Sequence, residues 1–211
     1  CGQFSDLYNK YPQVGRFLIA TLFYEASASN VTFVATLWLT HIGFPLDMVG
    51  SYVSVFVVSM IPGPFMQLVT APRIGLKNSL ILCLSANVVT VILFFVLGRV
   101  TFIAWCFAPI FGFMFGWFHA ASNALYSAII PGGREASLMG LNLFCGVVLA
   151  WLPSLVITVG NETGYLLLTV MICPFFWFIG IVVLSTMDME KAYDDIALDA
   201  DKRQKAHFST K

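Results

Sequence analysis

The chain has 211 residues, 59% of them hydrophobic and 10% charged, with eleven basic and eleven acidic side chains and a mean hydropathy of +0.85. That composition excludes a soluble domain of this length, and the zero net charge excludes a basic surface for nucleic acid. The protein therefore reads as an all-α integral membrane protein, with membrane lipid as a partner.

A helix crossing roughly 30 Å of hydrocarbon needs about 20 mostly apolar residues, and six such stretches are present. Residues 1–13 form an N-terminal segment, and span one follows from Val14 to Leu39. Near its middle stands a carboxylate, Glu25, whose ionised form costs about 2.5–3.5 kcal/mol at bilayer depth and so faces a cavity or a partner rather than lipid. Thr21, Glu25, Ser29, Thr32 and Thr36 recur at steps of four and three, which places them on one helical stripe, with Asn30 off it. Two readings of the stripe stand side by side. Either it lines an aqueous cavity with Glu25 as the group that takes up and releases a proton, or it lets neighbouring helices approach and share hydrogen bonds.

Span two, Met48 to Ala71, is interrupted by Pro62-Gly63-Pro64, and two prolines so close predict a kink or an unwound turn. Gln67 sits just below that break and is a further candidate, because broken helices expose backbone groups to cavities. Span three runs from Ser79 to Leu97 and carries Asn87. After Gly98-Arg99, span four runs from Phe102 to Ile130 and is expected to break early at Pro109.

On span four, His119, Ser122, Asn123 and Tyr126 stand at i, i+3, i+4 and i+7 below a Gly112-x-x-x-Gly116 step, giving a second polar stripe. The plain reading of His119 is a hydrogen-bonded core histidine; the functional one is a proton relay, for which no second histidine lies nearby. Span five, Ser137 to Val159, has Asn142 and Gly146 on one face and a bend at Trp151-Leu152-Pro153. Gly160 to Gly164 forms the next connection, and span six, Tyr165 to Leu184, is expected to kink at Pro174. The bundle thus occupies residues 14–186, leaving 187–211 as a charged tail. There Asp199 with Arg203 and Asp201 with Lys205 have the i,i+4 order that suits a short solvated helix, against a default of an irregular tail.

Ten of the eleven Lys and Arg fall on one side of these spans and only Arg99 on the other, which predicts that both termini are cytosolic. The cysteines Cys1, Cys83, Cys106, Cys145 and Cys173 stand singly without metal-ligand spacing, so neither metal nor cofactor is expected. Two N-x-T triplets, at Asn30 and Asn161, are discounted as glycosylation sites, one inside a span and one in a short connection.

Six spans with cytosolic ends, a basic loop after span two and a charged loop after span four resemble one half of a twelve-helix major facilitator superfamily transporter. The local match is closer: Phe17-Leu18-Ile19-Ala20 followed by Phe23-Tyr24-Glu25 resembles the first helix of the C-terminal half in the autophagy-related vacuolar amino-acid effluxer family. The stretch from Ile130-Pro131-Gly132-Gly133-Arg134-Glu135 to Gly140-Leu141-Asn142, with Trp151-Leu152-Pro153 beyond it, is similar to the same family. Glu25 stands where Asp would be expected, Leu138-Met139 where aromatics would, and Leu152-Pro153 where Gly-Pro would.

The resemblance implies that this chain, which starts at Cys1 without a methionine, is the last six helices of a carrier and pairs with a missing N-terminal six-helix half. A small-molecule solute would bind between the halves near the midplane, with alternating access by rocking. It implies secondary active transport, with amino-acid efflux from the vacuole and proton linkage as the finer expectation. The vacuolar membrane is the expected location, the plasma membrane the alternative. Arg134 and Glu135 would then be cytosolic gate contacts, or else an ordinary solvated ion pair. The competing reading is a six-helix channel or membrane scaffold acting as an oligomer. An intramembrane protease is disfavoured, since there is no G-x-S-x-G turn and His119 has no nucleophile at hand, and no enzyme is expected.

Overall fold

Backbone polar groups cannot stay unpaired in hydrocarbon, so a chain this apolar closes its own hydrogen bonds as helix. The computed structural model describes residues 10–98, 100–133 and 135–209, and among them there is helix and no strand. Cys1, Arg99, Arg134 and Lys211 lie outside the described residues, as does most of the N-terminal segment. Six stretches are long and apolar enough to cross a membrane: Pro12–His41, Asp47–Ile74, Leu76–Leu97, Thr101–Ile129, Glu135–Thr163 and Leu166–Ser185. These are the six expected spans, each reset by a few residues at its ends.

Four spans are interrupted. Span one is α1 (Pro12–Ala28) and α2 (Val31–His41), and span two is α3 (Leu46–Ser59) and α4 (Gly63–Ile74). Spans three and four are the unbroken α5 (Leu76–Leu97) and α6 (Thr101–Ile129). Span five is α7 (Glu135–Val148) and α8 (Trp151–Thr163), and span six is α9 (Leu166–Val170) and α10 (Ile172–Ser185). The break expected at Pro109 is absent: α6 runs through it for 29 residues. One missing N–H, at an exposed position with intact turns on either side, does not suffice to stop the helix. The connection expected at Gly160 to Gly164 also shrinks, because α8 continues to Thr163 and ends on Gly164 in the left-handed region at φ 79°.

Spans one and four occupy the middle and touch each other. Span one packs on spans five and six, and span four packs on spans two and three, while three meets six. The first three spans and the last three are thus exchanged by the same pattern of contacts. Three crossings per set put the second set upside down relative to the first, as in an inverted repeat.

Close approach of spans two and four rests on three glycines. Gly112 and Gly116 face the carbonyls of Phe56 and Met60, and Gly63, just past the Pro62 turn, lies against the backbone of Phe113 and Trp117. A Cβ on Gly116 would stand 2.9 Å from the Met60 carbonyl carbon, and one on Gly63 2.5 Å from the Trp117 nitrogen. With no water to expel between helices in lipid, such small-residue contacts are what allow dispersion to hold them.

At one end of the bundle the cations converge on the C-terminus of span six, whose last carbonyls have no helical partner. Arg16 Nη1 donates to the Thr186 carbonyl at 2.7 Å, and Lys77 Nζ donates to those of Ser185, at 3.0 Å, and Met187. Positive charge there also suits the negative end of the helix dipole. The tail then turns into a 21-residue helix, α11 (Met189–Ser209), longer than the short helix expected. It is tied to span one by the Asp188 N–H on Gln13 Oε1 at 3.0 Å and by Lys10 to Asp199 at 2.7 Å. The Asp199 carboxylate holds the Lys10 ammonium above the ordinary lysine range. Asp199 thus reaches back to Lys10; the side chains of Asp201, Lys202, Arg203 and Lys205 lie outside the description.

Gly116→Ala is expected to lower the melting midpoint in detergent, at a cost of about 1–3 kcal/mol from overpacking. Gly50→Ala, where a Cβ would meet nothing within 4 Å, is expected to leave it unchanged or raise it.

Candidate solute-facing site

Span one shows three faces. Towards span six it presents Ser27, whose hydroxyl donates to the Cys173 carbonyl at 2.9 Å, and the Tyr24 carbonyl, which accepts Trp177 Nε1–H at 3.1 Å. Towards span four it presents the Tyr24 ring, whose hydroxyl lies 2.8 Å from Thr21 Oγ1 and 2.9 Å from Ser122 Oγ, and Phe17, stacked on Tyr126 at 5.0 Å. The remaining face carries Glu25, Ser29 and Thr32: Ser29 and Thr32 are exposed and Glu25 is half-buried. Glu25 borders span five, since a Cβ on Gly146 would sit 3.7 Å from its Cβ and its Cγ.

Span four divides similarly. Phe113, Gly116 and Trp117 meet span two, and Phe118 and Ser122 meet Tyr24 of span one. His119 and Asn123, four residues apart, fall in the sector between, where His119 is half-buried and Asn123 exposed. Both stripes therefore open onto one surface, with spans one and four at its centre and spans five and two at its flanks.

The carboxylate of Glu25 has no hydrogen bond or ion pair with any described residue. It is a charge-capable group on a membrane-spanning helix with no such partner among the described residues. His119 lies edge-on to Phe115 at 4.7 Å and beside Phe118 at 4.9 Å. The hydrogen-bonded core histidine considered above finds no such partner among the described residues.

Other candidates sit elsewhere. Tyr126 is buried and donates to the Leu138 carbonyl at 2.6 Å, so it braces spans four and five instead of facing the open surface. Gln67 is buried too: its Oε1 accepts from Ser79 Oγ at 2.6 Å and from Trp117 Nε1 at 3.2 Å, knotting spans two, three and four. Pro62, Gly63 and Pro64 do interrupt span two, with Gly63 buried against the backbone of span four and the two prolines exposed. Glu135 accepts the Gly133 N–H at 2.9 Å at the exposed head of α7. Arg134, the other gate candidate, lies outside the described residues.

Asn30 was missed as a site residue because it lies off the polar stripe. It is 5% exposed, and its amide spans the breaks of two helices: Nδ2 donates to the Ala26 carbonyl at 2.8 Å and to the Ala150 carbonyl at 2.7 Å, and Oδ1 accepts from Ser154. The signal available in the sequence was an amide in mid-span with no proline or glycine beside it to account for a turn.

Six apolar helices in an inverted pairing of two three-helix sets define a multi-pass membrane protein. The model of the family described as "Vacuole effluxer Atg22 like" matches residues 2–197, and the chain belongs to that family. No curated protein and no solved structure matches it.

In the full-length protein, Ser29→Cys and Asn123→Cys are expected to react with a small water-soluble maleimide. Ser27→Cys and Ser122→Cys, whose positions are buried against spans six and one, are expected to stay unlabelled; mass spectrometry of the labelled peptides reads the difference.

Proposed function

We propose that this chain forms the solute-facing wall of a secondary active transporter that exports amino acids from the vacuole in a proton-linked cycle, with Glu25 as the coupling residue. One observation carries the reading: a half-buried carboxylate, without a hydrogen bond or ion pair among the described residues, on a polar face that the central spans leave open. A group that must change protonation as solute comes and goes has to reach water in at least one state, and a locked ion pair would prevent that.

The chemistry of the face favours a solute with a cationic end. Glu25, Ser29, Thr32, His119 and Asn123 supply a carboxylate, hydroxyls, an imidazole and an amide, and no Lys or Arg among the described residues lies on these stripes. An ammonium group suits this wall. The carboxylate end of an amino acid would be held by the opposite wall, which we assign to an N-terminal six-helix half. The basic residues gathered around Arg16 and Lys77 support a cytosolic placement of that end of the bundle, and with it of both termini. The Glu135 turn follows span four towards the same side and is where cytosolic gate contacts would form.

Glu25→Gln in the full-length protein, reconstituted in vesicles, is expected to abolish the pH dependence of solute flux while leaving expression and detergent melting unchanged. Glu25→Asp is expected to keep a pH-dependent flux at reduced rate. Flux that still varies with pH in Glu25→Gln would remove this residue from the mechanism.

A further inference from the structure

Spans one and five are both interrupted beside each other. In span one the Asn30 N–H tightens onto the Ser27 carbonyl at 3.1 Å, which leaves the Ala26 carbonyl without the backbone donor a regular helix would give it. Two side chains fill the gap, Asn30 Nδ2 at 2.8 Å and Ser29 Oγ at 3.2 Å. In span five the Ala150 N–H turns to the Val147 carbonyl at 3.0 Å and the Leu152 N–H to that of Leu149 at 3.1 Å, while Pro153 has no N–H to give. The Ala150 carbonyl, at that break, takes the second Asn30 Nδ2 hydrogen, and Ser154 of the following turn donates to Asn30 Oδ1. A single buried amide thus serves both bends, and the Glu25 carbonyl accepts the Ser29 N–H at 2.9 Å in the turn that leads into the first of them.

We infer that Asn30 is a positioning residue that fastens the two helix breaks together, so that spans one and five bend and move as one body and keep Glu25 against Gly146. The inference rests on the reading of Glu25 as the coupling group for its link to transport, but the mechanical claim stands on the hydrogen bonds. Removing the amide strands the Ala150 carbonyl and the Ser154 hydroxyl and leaves the Ala26 carbonyl to the longer Ser29 bond alone. The bends would then lose their fixed relation, and the carboxylate its fixed place on the open face.

Two measurements on the full-length protein test this. Spin labels on Phe33→Cys and Leu155→Cys, both exposed positions beyond the breaks, report the distance between the two spans in a background lacking the exposed Cys106. A narrow distribution that broadens in Asn30→Ala is expected, with a smaller broadening in Ser154→Ala, which keeps the Asn30 donors and serves if Asn30→Ala fails to fold. Vmax in Asn30→Ala is expected to fall by about tenfold with KM within about threefold, the pattern of a lost positioning contact rather than a lost solute contact. Second, Asn30→Cys with Ala150→Cys puts a covalent link in place of the hydrogen bond: flux should be slow when reduced and recover on oxidation. A distribution unchanged in both variants, or oxidation that arrests transport because the spans must part, would overturn the proposal. If the distances broaden while Glu25→Gln retains pH-dependent flux, the fastening stands and it is the coupling reading that fails.

Discussion

An unpaired backbone carbonyl in hydrocarbon costs several kcal/mol, and this constraint decides where the bundle can bend. Straight helices satisfy it automatically; each interruption has to find a substitute donor within reach. Span one finds Asn30 and Ser29, and span two closes its turn with tightened bonds from Met60 to Val57 and from Gly63 to Met60, both at 3.1 Å. Span five uses the same tightening and borrows the Asn30 amide. The interruptions of spans one and five are therefore built features with assigned partners.

The same constraint separates the polar groups into two populations. Ser27, Ser122, Tyr126, Gln67 and Ser79 are buried and paired with neighbouring helices, and Thr21 is buried and paired within its own, so their polarity contributes to packing. Glu25, Ser29, Thr32, His119 and Asn123 share the open side of spans one and four. Sorting of this kind is what a solute-facing wall needs, because a side chain that already donates to its own bundle has little left to offer a ligand.

Helix number, type and approximate limits were legible because hydropathy over about 20 residues reports directly on the cost of burying backbone in lipid. Breaks within a span are less legible: Pro109 promises one and the helix runs through it, whereas Ser29-Asn30 promises none and interrupts span one. A proline's effect depends on whether the rest of the turn can hold, and an amide's on whether a neighbour presents a carbonyl, and neither is a property of the segment alone. Helical spacing placed Glu25, Ser29 and Thr32 on one stripe correctly, yet it also put Thr21 and Tyr126 on polar stripes when both are turned inward. The difference is set by which neighbour each face meets. That information lies in the pairing of spans one with five and six and of four with two and three, which no single span encodes.

Similar topology in the two three-helix sets does not mean similar chemistry. Span four meets span two at Gly112 and Gly116 through the backbone of Phe56 and Met60 and the Cβ of Ser59, a contact with no space for a single added methyl. Span one meets span five through an amide, a serine hydroxyl and the flank of a carboxylate, with ordinary van der Waals room at Gly146. A close-packed seam resists any change of angle because dispersion falls away within an ångström, while hydrogen bonds to a buried amide tolerate small changes of direction before they break. Spans two and four are accordingly held by shape, and spans one and five by the hydrogen bonds of a single amide. Glu25 sits on the hydrogen-bonded side, against Gly146. A group that has to meet water and solute in turn keeps its place on the open face only while the two bends beside it hold their relation, and that is the part the Asn30 amide plays in the proposed cycle.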